Sequence, residues 1–151
     1  MTKLRIRDFE LQDFLDIEVS DHEKELRIGM PLARWAWIHK QTGPCYTVVD
    51  PEDRIVVCGG LHDLWPGVGD LWMTFSPLAR KYPYILVVIK KILAGWMNWY
   101  WRIQGTSDAT WPEAISFNEH FGAKREGVLR RYGPRGEDHI MYALVKGKAN
   151  D

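Results

Sequence analysis

The stretch Trp111-Pro112-Glu113-Ala114-Ile115-Ser116-Phe117-Asn118-Glu119-His120-Phe121-Gly122-Ala123-Lys124-Arg125-Glu126-Gly127-Val128-Leu129-Arg130 carries the most specific pattern in this 151-residue chain. It reads as a capped helix followed at once by a strand. Asp108 or Thr110 stands where a side chain can cap, Pro112 falls in the first turn, and Glu113 lies three residues after Thr110 as a capping-box partner. Ala114, Ile115, Phe117 and Phe121 form the apolar side, and Gly122 is a natural stop. A strand from Arg125 to Tyr132 follows, then Gly133-Pro134-Arg135-Gly136, then a second strand from His139 to Val145.

Working back towards the N-terminus, the elements alternate. Arg102 to Ser107 reads as a short strand. Tyr84 to Tyr100 reads as a long apolar helix with Pro83 at its first position, after Pro77 has ended the strand Asp70-Leu71-Trp72-Met73-Thr74-Phe75. Leu64 to Gly69 reads as a turn, Arg54 to Leu61 and Cys45 to Val49 as strands, and Asp50 to Asp53 as the turn joining them. A helix from Pro31 to about His39 stops at Gly43-Pro44. Leu11, Phe14, Leu15 and Val19 are spaced for one first helix, and Leu4 and Ile6 for a half-buried strand. The implied order is β-α-α-β-β-β-α-β-α-β-β, an α/β (α+β) fold with a mixed, mostly antiparallel sheet flanked by helices.

Composition narrows the function classes. Twenty Lys plus Arg balance twenty Asp plus Glu, so the basic footprint of a general nucleic-acid or membrane-surface binder is missing. Charge is instead segregated: eight acids and one Lys lie between Asp8 and Glu25, and seven bases and three acids between Lys124 and Lys148. The first reads as a solvated acidic face and the second as a basic hairpin, with a charged partner as the sharper alternative for each. Lys90 and Lys91 interrupt the most apolar run, and at about +2.5 to +3.5 kcal/mol each they oppose membrane insertion. The basic start lacks an apolar segment of the secretory kind, so a cytoplasmic location is expected. Cys45 and Cys58 read as small core residues of strands. His22, His39, His120 and His139 lack helical partners of ligand type, so no metal is expected. His62 and Asp63 are candidates for a proton-relay pair at a strand end, but adjacent strand residues point to opposite faces, which opposes their cooperation. One domain is expected over residues 1–151. Trp96, Trp99, Tyr100 and Trp101 read as core, dimer surface or a stacking platform.

The element order, with the segment Trp111 to Arg130, resembles the GCN5-related N-acetyltransferase superfamily, whose members carry an acetyl group from acetyl-CoA to an amine. The resemblance implies a catalytic strand in Asp70 to Phe75, with the backbone of Met73, Thr74, Phe75 and Ser76 along the pantetheine arm. It implies a cofactor-binding turn with Arg80, Lys81, Tyr82 and Tyr84, and Trp111 at the edge of the cofactor site. Asp70 is the candidate general base, or simply a turn aspartate after Gly69. Asn118 stands where the family often has a Tyr that returns a proton to the leaving thiolate, and an amide cannot titrate. Pro83 and Ile85 replace small residues. Pro83 has no N–H to give a pyrophosphate, and the Ile85 side chain is expected to obstruct it.

The run Gly69-Asp70-Leu71-Trp72-Met73-Thr74 and the aromatic helix after it resemble a branch of phage proteins that has this fold with similarly altered motifs. Two functions follow. One is direct transfer of acetyl from acetyl-CoA to an amine-bearing small molecule or to a protein N-terminus or Lys. The other is a non-catalytic virion or assembly protein located in a phage particle, with a homodimer or a virion protein as partner and no specific nucleic acid or membrane.

Overall fold

A computed structural model describes residues 3–147 of the chain. Seven strands and five α-helices are described: β1 (Arg5–Asp8), α1 (Leu11–Asp16), α2 (Asp21–Arg27), α3 (Leu32–Gln41), β2 (Cys45–Val49), β3 (Ile55–Trp65), β4 (Val68–Phe75), α4 (Ile85–Trp96), β5 (Arg102–Asp108), α5 (Pro112–His120), β6 (Lys124–Leu129) and β7 (His139–Val145). A short 3₁₀ helix (Pro77–Lys81) lies between β4 and α4. The hydrogen-bonded strand order is β1-β2-β3-β4-β5-β7-β6. The β4–β5 pair is parallel, and the β1–β2, β2–β3, β5–β7 and β6–β7 pairs are antiparallel. This is the mixed, mostly antiparallel sheet expected from the sequence.

Two compact units divide the chain. One takes the chain up to His62 together with Trp72–Ile89; the other takes Asp63–Leu71 and the chain from Lys90 onward. In the first unit, Phe9, Phe14, Ile17, Val19, Ala36 and Cys58 form a buried apolar cluster, with Leu32, Cys45, Ile55 and Trp72 packed against it. The Cys58 thiol is pushed up to about 12 by this burial, which makes it inert filling and not a nucleophile.

The single first helix expected from Leu11, Phe14, Leu15 and Val19 is two helices. α1 ends at Asp16, the chain runs through Ile17 to Ser20, and the Ser20 hydroxyl then accepts the Glu23 N–H at 3.3 Å to cap α2. Ile17 and Val19 are both buried. Their β-branched side chains reach the core from irregular chain, and the break lets both do so. Ser20-x-x-Glu23 is a capping signature that periodicity alone conceals.

In the second unit, β4 begins alongside β5, with Val68, Gly69 and Asp70 opposite Arg102, Ile103 and Gln104. The turn expected over Leu64 to Gly69 shrinks to Pro66 and Gly67, because both flanking strands extend into it. Gly67 has φ of 88°, and a Cβ there would meet the Trp101 ring. Gly122 has φ of 77° with open space around it. Gly67→Ala is therefore expected to cost about 2–3 kcal/mol and Gly122→Ala about 1 kcal/mol in urea unfolding. Equal costs would mean that the Trp101 contact adds nothing to backbone strain. The long helix stops at Trp96, short of the expected Tyr100. No described helix is long and apolar enough to cross a membrane.

Candidate functional site

Alternation along β4 places Trp72 and Thr74 on one face and Met73 and Phe75 on the other. Thr74 is buried. Its hydroxyl donates to Glu23 Oε2 and accepts from Arg27 Nη2 at 3.1 Å. Arg27 also donates to the Phe14 carbonyl at 2.8 Å and lies over the Phe14 ring, 4.2 Å from its centroid. Both charged side chains are largely covered, with 19% of Glu23 and 11% of Arg27 exposed. Burial pushes the Glu23 carboxyl above its ordinary range, although the Thr74 hydrogen bond and the charges of Arg27 and His22 pull the other way. A carboxylate in this state holds a proton more firmly than an ordinary surface carboxylate. Sequence reading missed it, because Glu23 looked like one acid among eight.

An imidazole pair also packs on this face. His39 Nδ1 lies 2.7 Å from His62 Nε2, and the His39 ring stacks on Trp72 with centroids 3.8 Å apart. Thus His39 has a partner that helical spacing could not reveal, since it comes from β3. Asp63 instead accepts from the Tyr100 hydroxyl at 2.6 Å. His39 is 6% exposed, and burial, with the charges of His62 and Arg27, pushes its pKa down to about 3. The folded protein therefore holds His39 neutral while the unfolded chain protonates it near 6.5. Its contribution to stability is complete above about pH 6.5 and is lost as pH falls towards 3, at up to about 1.4 kcal/mol per pH unit. His39→Gln is expected to flatten the dependence of urea stability on pH between about 6.5 and 4. An unchanged slope would show that His39 titrates normally in the fold.

Beyond β4 the chain is closely tied to itself. Ser76 N–H donates to the Val56 carbonyl at 2.9 Å, and its hydroxyl accepts the Leu78 N–H at 3.1 Å. Tyr82 N–H bonds the Ala79 carbonyl, and its hydroxyl donates to Asp50 Oδ2 at 3.0 Å. Asp50 is fully buried and also accepts from the Arg54 side chain and from the Glu52 and Arg54 N–H groups. Burial opposes its ionisation, but these hydrogen bonds win and hold the carboxyl at about 2. At the start of α4, the N–H groups of Ile85, Leu86 and Val87 bond the carbonyls of Tyr82, Pro83 and Tyr84 at 2.8, 3.2 and 3.0 Å. Arg80, Lys81 and Tyr84 are all exposed at the surface of this turn.

The remaining candidates lie in the second unit. Asp70 Oδ1 accepts from the Gln104 amide at 3.4 Å. The Asn118 amide donates to Ser107 Oγ and to the Ala114 carbonyl, so it ties α5 to β5. Trp111 is the N-cap residue of α5, and its indole N–H donates to Glu113. The expected Thr110–Glu113 capping box is therefore not formed. Thr110 turns to Asp108 Oδ1, which accepts both its N–H and its hydroxyl. Arg131 and Arg135 are exposed around the last turn, while Lys148 lies outside the described residues. No group of three or more His, Cys, Asp or Glu gathers among the described residues.

No protein-family model matches this sequence, and no curated protein matches it significantly. Solved structures do match. A candidate phosphinothricin N-acetyltransferase superposes with a TM-score of 0.78 over 97% of this chain and 100% of the other, at 11% identity. An acetyltransferase of the GNAT family from Bacillus anthracis gives 0.69 over 96% and 98%, at 18% identity. A mutant form of the spermidine N-acetyltransferase SpeG from Vibrio cholerae gives 0.66 over 94% and 93%, at 17% identity. The chain has the fold of the GCN5-related N-acetyltransferases.

That fold implies acetyl-CoA, with the pyrophosphate at amides before and at the start of α4. The residues present there do not fit a pyrophosphate. Pro83 has no N–H, and the next three amides after Tyr84 are engaged by main-chain carbonyls. The Ile85 side chain is buried, 3% exposed, and so is not presented at the surface of this turn. Hydrogen bonding closes the cradle instead. Arg80 and Lys81 remain on the turn as charge without an amide frame.

Proposed function

We propose that this chain is an N-acetyltransferase that moves an acetyl group from a thioester donor to an amine by direct transfer. The observation that carries this reading is Glu23, a covered carboxylate of raised pKa held on the hydroxyl of Thr74 in β4. The amine nitrogen attacks the thioester carbonyl carbon, a C–N bond forms, and the C–S bond breaks. The carboxylate takes the proton lost by the amine, and water returns a proton to the thiolate, since Asn118 cannot. The backbone of Met73 to Phe75 is proposed to lie along the pantetheine arm, with an N–H polarising the carbonyl. Asp70 is retained as the rival base. The acceptor class is an amine-bearing small molecule or a protein N-terminus or Lys.

The test is thiol release with acetyl-CoA and S-acetylpantetheine as donors and a panel of amines and peptides. Spermidine belongs in the panel, because it is the amine in the name of SpeG. Release that depends on the amine, with the acetylated product seen by mass spectrometry, is the expected result. Absence of product with every donor and acceptor overturns the reading.

One observation favours a second reading, a non-catalytic interaction protein. The groups at the α4 start and at Asn118 are bonded within the protein. Under that reading neither CoA nor pantetheine raises Tm, because a ligand of the native state must stabilise it.

A further inference from the structure

The geometry at the start of α4 points to a donor that lacks the adenylate half of CoA: an acyl thioester of pantetheine or 4′-phosphopantetheine, free or carried on a protein. This inference rests on the proposed acyl transfer and names its donor class. A CoA pyrophosphate requires several inward-pointing amides at one helix start, each charge-assisted contact being worth about tenfold or more in affinity. In this chain that frame is replaced by an internal latch. Proline occupies position 83, and the amides of Ile85, Leu86 and Val87 bond Tyr82, Pro83 and Tyr84. Tyr82 is in turn fixed to the buried Asp50, which Arg54 grips at 2.8 Å. Leu78 and Ala79 N–H groups both bond Ser76. Opening the cradle for a pyrophosphate would break this set together.

The pantetheine arm makes a different demand, because a strand recognises it through its main chain. Thr74 sits on that strand beside Glu23 and Arg27. Arg80 and Lys81 lie on the turn that leads to α4. They suit a single phosphate held by charge alone, without the fixed geometry that two linked phosphates demand.

The experiment compares S-acetylpantetheine, S-acetyl-4′-phosphopantetheine, an acetyl-loaded carrier domain and acetyl-CoA in kcat/KM. Binding of pantetheine, 4′-phosphopantetheine and CoA is measured in parallel by calorimetry, with adenosine 3′,5′-bisphosphate as competitor. Small donors within about threefold of acetyl-CoA, and no competition by the bisphosphate at millimolar concentration, are the expected result. A carrier domain preferred more than about tenfold over both small donors also supports the inference and assigns the source to a protein. Acetyl-CoA preferred by about a hundredfold or more, or CoA binding displaced by the bisphosphate, overturns it while leaving the acyl-transfer reading intact. No binding of pantetheine, 4′-phosphopantetheine or CoA, with no turnover of any donor including the carrier domain, overturns both.

Discussion

Glu23→Gln is expected to lower kcat/KM for amine acetylation by about 10²- to 10⁴-fold, the usual contribution of a positioned general base. The substitution keeps the shape of the side chain and an acceptor for the Thr74 hydroxyl, so the fold should survive. Two effects on stability oppose each other: the amide leaves Arg27, 3.7 Å away and 11% exposed, without its countercharge, and it removes a carboxylate whose ionisation burial disfavours. A carboxyl whose folded pKa is raised contributes stability below its unfolded pKa and loses it as pH rises through the folded value, and the amide removes that loss. The wild-type rate should fall on the acid side as Glu23 takes up a proton, and this limb should vanish in the variant. A loss of less than about tenfold in Glu23→Gln, with a larger loss in Asp70→Asn, would transfer the base role to Asp70.

Asp13→Ala is expected to cost about 3 kcal/mol in urea unfolding. Asp13 joins three elements: Arg7 of β1 donates to both its oxygens at 2.7 and 2.8 Å, Thr47 of β2 donates its hydroxyl at 2.8 Å, and the Glu10 N–H at the start of α1 donates at 2.8 Å. The side chain is 8% exposed, whereas that of Arg7 is 41% exposed. Arg7 can therefore rehydrate when Asp13 is removed, but the fully buried Thr47 hydroxyl cannot. Burial pushes the Asp13 carboxyl up, yet the hydrogen bonds from Arg7, Glu10 and Thr47 outweigh it and hold it below the ordinary value of 3.8. Its contribution is thus present above pH 3.8 and lost as pH falls through the lower folded value. Asp13→Ala should flatten that acid limb as well as lower the midpoint. A cost under about 1 kcal/mol would mean that water replaces the carboxylate at Thr47.

The elements were legible to different degrees for physical reasons. Cys45–Val49 is a strand with the bounds that its β-branched residues suggest, because the turn Asp50 to Asp53 and the Gly43-Pro44 stop are local signals. Periodicity alone merges α1 and α2, since Leu11, Phe14, Leu15 and Val19 fit one helical period even when the chain leaves the helix at Ile17. The latch at Pro83 was half visible. A missing N–H can be read from one letter, but the bonds that engage the neighbouring amides depend on the turn that Tyr82 and Asp50 hold.

By itself, the sequence determined the kinds and order of most elements, the stop at Gly122, and the departure of Pro83 and Asn118 from acetyltransferase patterns. Those features come from backbone chemistry within a few residues, where turn preference, proline geometry and side-chain type act directly. Tertiary structure alone decided which titratable groups meet. Glu23 and Thr74 are 51 positions apart and His39 and His62 are 23 apart, and each pair exists because helices pack on strands. Burial set by that packing, and not residue type, raises Glu23 and lowers His39.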